Sequence, residues 1–156
     1  MMKLEITAKG KKQLTKALQD ACWEIADRIY SEAQTNLAVR TWITEGSNGP
    51  YSSVITDTGE LLGSGTIERT KTGAHIEFES EHATSVEYGL PEGTSVPVEP
   101  LIKWARRKIG MSEKEAENAA WAIHTKIYQQ GIEARPFLRE AIYKIVAEYY
   151  AKKVRV

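Results

Sequence analysis

The chain has 156 residues, of which 42% are hydrophobic and 27% are charged. This length and composition are typical of one folded domain with a real core, so we predict a single domain over residues 1–156 and exclude extensive disorder. The 21 basic and 21 acidic side chains cancel, which argues against bulk attraction to nucleic acid.

The N-terminal region predicts one long amphipathic helix. Weak alternation over residues 4–8 predicts a short edge strand that ends at Gly10. From about Lys11, apolar residues recur at three- and four-residue spacing, which predicts a helix of about 28 residues and about 40 Å. Its apolar stripe consists of Leu14, Leu18, Cys22, Ile25, Ile29, Ala33 and Leu37. Cys22 is the only cysteine, and its place in the stripe predicts a buried small hydrophobe rather than a nucleophile.

Order weakens between Val39 and Ile55, where residues 46–50 predict a loop. Trp42 and Tyr51 lie in this passage and have two interpretations. They are aromatic anchors that contact a neighbouring protein, or they cover the end of the long helix.

Residues 57–89 predict a turn followed by a β-hairpin. The turn at residues 57–59 combines an aspartate that can cap its own turn with a conformationally permissive glycine. The runs 61–69 and 74–79 predict two strands, because a turn signal separates them at residues 70–73. The second run alternates apolar and polar residues, which is typical of a strand with one buried face.

A proline-rich connection over residues 90–100 precedes the next helix, which Pro100 starts. Residues 101–109 predict a short helix that ends at Gly110. Its inward side chains are expected to be Leu101, Trp104, Ala105 and Ile109. Its outward side chains form a basic cluster of Lys103, Arg106, Arg107 and Lys108. This cluster either grips DNA phosphates or is a solvated face or a partner for the acidic hairpin.

Two further helices complete the chain. Ser112 and Glu115 predict a capping box for a helix that runs to about Gln130 and stops at Gly131. Its inner face is expected to be Ala116, Ala119, Ala120, Ile123 and Ile127. A last helix opens after Pro136, with an apolar stripe of Leu138, Ala141, Ile142, Ile145, Val146 and Tyr149. The fold class predicted is therefore α+β, in which a small antiparallel sheet packs against a long N-terminal helix and several C-terminal helices.

No catalytic, metal or cofactor site is predicted. The three histidines, His75, His82 and His124, include no ligand-spaced pair. No serine has a nucleophile-elbow pattern, and no glycine-rich phosphate loop follows a strand. Metal dependence traceable to His75 and its neighbouring carboxylates would favour an enzyme, the main rival class, whereas an exposed polar strand face is the plainer interpretation. No run of about 18 apolar residues and no apolar signal core is present, so we expect no membrane association.

Short motifs, taken in their order along the chain, resemble the tail-completion proteins of tailed bacteriophages, which are small neck proteins at the head-to-tail junction. The residues that carry the resemblance are Asp57, Thr58, Gly59, Leu61, Ser64, Glu87, Tyr88, Gly89, Arg135, Pro136, Phe137, Leu138 and Ala141. The long passage before Asp57 departs from the family pattern, in which a shorter, proline-containing connection is usual. The resemblance implies a structural virion protein that is made in the host cytoplasm and assembles as a ring without catalysis.

The resemblance also implies partners. These are copies of the chain itself, as a hexamer or alternatively a dodecamer, a head-closure or adaptor protein on one face, a tail terminator or tail tube protein on the other, and passing DNA in non-specific proximity. Glu87 lies between Val86 and Tyr88 and needs a partner or water, for which an arginine of its own or the next subunit is a candidate. The motif residues are candidate inter-subunit residues, except that turn geometry or core packing alone can explain Asp57, Gly59 and Phe137. The candidate partner contacts are Trp42, Tyr51, Arg135 and Arg139.

Charge is distributed unevenly along the chain. Residues 41–100 carry two basic and ten acidic side chains, a net charge of −8, whereas residues 101–156 carry twelve basic and six acidic, a net charge of +6. The two segments either meet each other or water within one subunit, or they join neighbouring subunits head to tail. One hypothesis places the acidic segment in the ring opening, where it would repel DNA. Another connector ring protein, such as a tail terminator or head-closure protein, and a nucleic-acid-binding module or enzyme of a mobile element stay open as alternatives.

Overall fold

The structure is a computed structural model and describes residues 8–46, 49–53, 55 and 57–153. Its elements are, in chain order, α1 (Ala8–Ala38), β1 (Trp42–Gly46), β2 (Gly49–Ser53), α2 (Glu60–Gly63), β3 (Gly65–Arg69), β4 (Ala74–Phe78), α3 (Ala83–Tyr88), α4 (Val98–Ile109), α5 (Glu113–Gln130) and α6 (Phe137–Lys153). The fold is α+β, as predicted. In the part of the chain that the structure describes, no helix is long and apolar enough to cross a membrane.

The chain divides into two compact units. Unit 1 comprises Met1–Ala83 with Pro136–Val156, and unit 2 comprises Thr84–Arg135. That residues 1–156 behave as a single domain stays a prediction.

An antiparallel pair of helices, α1 and α6, is the centre of unit 1. Two ion pairs join them in antiparallel order: Arg28 with Glu148 at 2.5 Å, and Glu32 with Lys144 at 2.7 Å. Arg40, two residues beyond the end of α1, pairs with Glu140 of α6. Beside these pairs the helices bury a narrow seam of Ala33, Leu37, Phe137, Ala141 and Ile145. The small alanines let the helices approach closely, and the row of ion pairs sets their register.

The β3–β4 hairpin packs against the carboxyl-terminal half of α1. Ile67 pairs with Ile76 in the antiparallel register, and Phe78 stacks its ring between Tyr30, at 6.1 Å between centroids, and Phe137, at 5.0 Å. This aromatic row joins helix, hairpin and α6 in one core. The small sheet predicted against the long N-terminal helix is therefore present.

Unit 2 is built on the helix pair α4 and α5. Ala105, Ala116 and Ala120 are fully buried, which follows the predicted small-residue face of α5. Both predicted helix ends are present, at Gly110 and Gly131, and both glycines have positive φ.

Three predictions about secondary structure are wrong. Gly10 does not end a strand but lies inside α1, because one interior glycine costs only about 1 kcal/mol in a long helix; residues 4–7 of the predicted edge strand lie outside the described residues. Residues 60–63 form a helical turn, and the strand begins only at Gly65. The weakly ordered passage over residues 39–55 contains the hairpin β1–β2, in which Trp42 lies opposite Ser53, and the loop predicted at residues 46–50 includes the paired strand ends Gly46 and Gly49.

Three predictions about burial are also wrong. Cys22 is exposed, although Gly73 of the hairpin tip lies beside it. Ile109, on the last turn of α4, is 54% exposed. Ile142 and Val146 are exposed on α6, because contact with a single helix buries only the narrow seam of α6 that faces α1.

Candidate functional site

The motif turn before β3 is held by short-range hydrogen bonds. Gly59 has φ +81° and its carbonyl accepts a bond of 2.8 Å from the amide of Gly63. The Thr58 hydroxyl lies 3.4 Å from the amide of Glu60, and the Ser64 hydroxyl donates to the Leu61 carbonyl at 2.9 Å. Turn geometry thus accounts for Thr58, Gly59 and Ser64, whereas the side chain of Asp57 is exposed.

A polar cluster on α1 holds the end of this turn in place. The Gln34 amide donates to the Leu62 carbonyl at 3.2 Å and to the Tyr30 hydroxyl at 2.9 Å, and that hydroxyl donates to the Gly65 carbonyl at 2.9 Å. A Cβ on Gly65 would lie 2.7 Å from the Phe78 ring and 2.8 Å from Gln34. Sequence analysis did not assign these roles, although a glycine at the start of a strand often marks close backbone approach.

In the second motif segment, residues 87–89, the first residue is buried, the second is exposed, and the third is a glycine with positive φ. Glu87 is 7% exposed on α3, while Tyr88 is 65% exposed. Gly89 has φ +72°, and a Cβ there would lie 2.4 Å from the Ile132 carbonyl oxygen. No side chain fits at Gly89, because the next residue, Leu90, exchanges a pair of backbone hydrogen bonds with Ile132: each amide donates to the carbonyl of the other residue.

The carboxyl-terminal motif sits at the start of α6. The carbonyl of Pro136 accepts a bond of 3.1 Å from Glu140, which begins the first turn. Phe137 is fully buried, and its carbonyl accepts a 2.8 Å bond from the buried amide of Asn36. Core packing therefore explains Phe137, one of the two interpretations left open by the sequence. The backbone of Arg135 donates to the Val86 carbonyl at 2.8 Å, so it lies beside the segment that carries Glu87.

The other candidate partner contacts are distributed over three elements. The Arg40 guanidinium lies 4.2 Å from the ring centroid of Trp42 and also pairs with Glu140. This contact favours the interpretation in which Trp42 covers the end of α1. Tyr51 lies in β2 opposite Thr44, and its side chain is outside the described part of the chain. Arg139 is partly buried on α6.

The amino-terminal half of α1, residues 10–22, contains no buried side chain. Leu14 is 52% exposed and Leu18 is 58% exposed, although both belong to the apolar stripe. Polar contacts from the hairpin tip reach only the end of this segment: Gln19 donates to the Lys71 carbonyl, and Asp20 pairs with Arg69 at 3.2 Å. Among the described residues of unit 1, none buries the apolar face of this helical segment.

In unit 1, charged side chains of opposite sign lie at the two ends of the β3–β4 hairpin. Its basic end comprises the amino-terminal half of α1 with the hairpin tip and carries Lys11, Lys12, Lys16, Arg69 and Lys71 against Asp20 and Glu68. A cleft of about 720 Å³ lies there between α1 and the tip, lined among others by Lys12, Lys16 and Arg69. The acidic end lies where the amide of Glu79 donates to Ser64 at 3.3 Å and carries Asp57, Glu60, Glu77, Glu79 and Glu81, all exposed. Each strand of the hairpin has five residues and is about 16 Å long, and this length separates the two ends.

The basic cluster of unit 2 lies on one face of α4, as predicted. Lys103, Arg106, Arg107 and Lys108 are exposed. A shallow depression of about 490 Å³ next to them is lined by three of these side chains with Gly110 and Met111. This arrangement places several cations around one depression.

The histidines do not converge. His75 pairs with Glu77 at 3.3 Å on the exposed strand face, and His124 lies 2.8 Å from the Val96 carbonyl. Over residues 8–46, 49–53, 55 and 57–153, no group of three or more potential ligands is arranged to hold a metal ion.

Comparison of the chain with protein-family models, with curated proteins and with solved structures gives no match.

Proposed function

We propose that the chain is a structural virion protein of the neck of a tailed phage, where copies form a ring that joins the DNA-filled head to the tail and lets DNA pass. The proposal starts from the ordered motifs of residues 57–64, 87–89 and 135–141. The observation that carries it is the uncovered apolar face of α1, with Leu14 and Leu18 half exposed.

The uncovered face supports assembly on energetic grounds. Full burial of one leucine side chain stabilises by about 1.5–3 kcal/mol, so two half-exposed leucines on a regular helix represent a sizeable unused contribution. Exposed apolar residues repeated along one helix face are typical of a surface that another protein covers. A structural subunit needs such surfaces and does not need a catalytic pocket.

The motif residues divide into two groups under this proposal. Gly59, Gly89 and Phe137 shape the subunit, because backbone geometry and core packing account for them. Asp57 and Tyr88 are exposed and are the motif side chains best placed to contact neighbouring copies or other virion proteins. The ring is proposed as a hexamer, with a dodecamer as the alternative, between a head-closure or adaptor protein and a tail terminator or tail tube protein. The proposal involves no catalysis, cofactor or metal.

Imaging of the head-to-tail junction in purified virions, at side-chain resolution, tests the proposal. We expect the chain as a closed ring at the neck, with part of the acidic segment 41–100 toward the DNA. Absence of the chain from virions contradicts the neck function. A ring lined by Lys103, Arg106 and Arg107 leaves the neck function intact and contradicts the acidic lining. If the ring contacts virion proteins other than the head-closure or adaptor protein and the tail terminator or tail tube protein, the chain is a different connector ring protein.

The cationic face of α4 favours one second candidate, a nucleic-acid-binding module. Phosphate binding by several cations makes affinity fall steeply with salt. Measurement of duplex binding by the isolated chain, and by a Lys103→Glu/Arg106→Glu variant, separates the two functions. Tight, salt-sensitive binding that the variant loses supports the module, whereas equal weak binding by both proteins supports the structural role.

A further inference from the structure

We propose that unit 1 binds head to tail to a second copy of this chain, with the basic end of one copy against the acidic end of the next. The inference rests on the proposed ring and deepens it by naming the contact between successive copies. The basic and acidic ends are those defined above, at opposite ends of the β3–β4 hairpin.

The first argument is the uncovered helix face. Along α1, the stripe that buries Ala33 and Leu37 continues to Leu18 and Leu14, which are exposed. Lys11 lies on the same side of the helix as these leucines, whereas Lys12 and Lys16 lie on the side that lines the cleft. The occupant of the leucine face must therefore offer an apolar contact, and the occupant of the cleft must offer negative charge.

The second argument is charge complementarity. A symmetric dimer through the cleft side of α1 would place Lys12 and Lys16 of two copies together, and like charges at an interface cost free energy. The acidic end offers five carboxylates, and the segments 57–64 and 77–83 that carry them contain no lysine or arginine. A carboxylate of the next copy can enter the cleft between Lys12, Lys16 and Arg69.

The third argument is geometry. Because the two ends lie at opposite ends of one hairpin, each copy can bind one neighbour at each end. Such a heterologous contact produces a ring when the rotation closes. It also places Asp57, an exposed member of the motif turn, at the contact.

A charge-swap experiment tests the contact in the full chain. Lys12→Glu/Lys16→Glu changes the net charge of the basic end from +3 to −1, and Glu79→Lys/Glu81→Lys changes that of the acidic end from −5 to −1. By sedimentation velocity at low salt, we expect each variant alone to associate at least about tenfold more weakly than the parent, because two matched charge pairs are lost. We expect an equimolar mixture of the two variants to recover association. Lys103→Glu/Arg106→Glu in unit 2 is the matched control and should leave association unchanged.

The single cysteine provides a second measurement that detects a weak contact. Cys22 is exposed and lies beside Gly73 of the hairpin tip, where the Cβ–Cβ distance would be 3.8 Å. One sample of the chain carries a nitroxide on Cys22 and no isotope label, and it is mixed at about millimolar concentration with isotope-labelled Cys22→Ala chain. The nitroxide should broaden the amide signals of residues 57–60 and 77–81 in the isotope-labelled copies. Signals of residues 103–107 should stay sharp.

The inference is overturned if the signals at the acidic end are not broadened. It is also overturned if the mixture of the two charge-swap variants associates no more strongly than each variant alone. Broadening that a DNA duplex removes, without recovery in the mixture, assigns the lysines of α1 to nucleic acid and also overturns it. These outcomes are separate from the neck function: a virion ring built on other surfaces contradicts this contact alone, and charge-swap recovery in a chain absent from virions contradicts the neck function alone.

Discussion

The two halves of α1 differ in what covers them, although their sequences have the same apolar periodicity. The carboxyl-terminal half buries Ala33, Asn36 and Leu37 against α6 and the β3–β4 hairpin. The amino-terminal half leaves Leu14 and Leu18 more than half exposed. Periodicity thus predicts which residues share a face of a helix, but it does not show whether the same chain supplies a partner for that face.

The largest effect expected from this comparison concerns a leucine in each half. Leu37→Ala should lower the free energy of unfolding by about 3 kcal/mol, because it leaves a cavity in a closed core. Leu18→Ala should change it by less than about 0.5 kcal/mol in the monomer, because its side chain already contacts water. Urea denaturation of both variants measures the difference. Equal losses would show that the two halves are equally buried in solution.

The next effect concerns the backbone that packs on the covered half. Gly65→Ala should cost about 1–3 kcal/mol, because its Cβ would overlap the Phe78 ring and the Gln34 amide. Gly63→Ala is the matched control, since nothing lies within 4 Å of its Cβ, and it should be neutral or slightly stabilising. Thermal unfolding compares the two alanine variants. A neutral Gly65→Ala would mean that the hairpin does not press on α1.

A smaller effect tests the hydrogen bond between α1 and the start of α6. Asn36→Ala removes the donor to the Phe137 carbonyl and should cost about 1–2 kcal/mol, because the acceptor stays buried. Thr35→Ala, one position along the same helix and exposed, should be close to neutral. Denaturant midpoints measure both. If Asn36→Ala lowers the free energy of unfolding no more than Thr35→Ala does, water reaches the Phe137 carbonyl. The carboxyl-terminal half of α1 is then more open to solvent than the structure shows.

The smallest effect concerns the capping box at the start of α5, where contacts between near neighbours in sequence, rather than tertiary packing as on α1, stabilise the helix end. The hydroxyl and the backbone amide of Ser112 donate to the Glu115 carboxylate at 2.6 and 3.0 Å, which lowers the pKa of Glu115 below its ordinary value. Because the pKa is lower in the folded state, this contribution is present above the ordinary glutamate pKa and is lost as pH falls through the lowered value. Ser112→Ala should raise the pKa of Glu115 toward its ordinary value in an NMR titration. An unshifted pKa would show that the capping box is open in solution.

Local interactions explain most of what sequence analysis predicted correctly. The capping box of α5, the glycines that end α4 and α5, and the alternation of β4 depend on residues only a few positions apart. The α+β fold class follows from these elements. The errors at residues 60–63 and in the β1–β2 hairpin arose where local propensity is weak and pairing with other segments decides the backbone.

The candidate site shows the same division. Motif order singled out Gly59 and Gly89, whose positive φ agrees with turn chemistry that a sequence can reveal. It did not identify Gly65, Tyr30 or Gln34, because their contacts join segments that are about 30 residues apart. It also left Phe137 undecided between core and interface, which burial alone resolves in favour of the core.

By itself, the sequence determined the long helix and its apolar stripe, the start and end of α5, and the uneven distribution of charge along the chain. Tertiary structure alone decided which part of that stripe is covered, because burial depends on where α6 and the β3–β4 hairpin lie along α1. It also decided that lysines of α1 join the hairpin tip in one basic end, while carboxylates from α2 and the far end of the hairpin form the other. Charges distant in sequence become one surface only when the fold brings their backbones together.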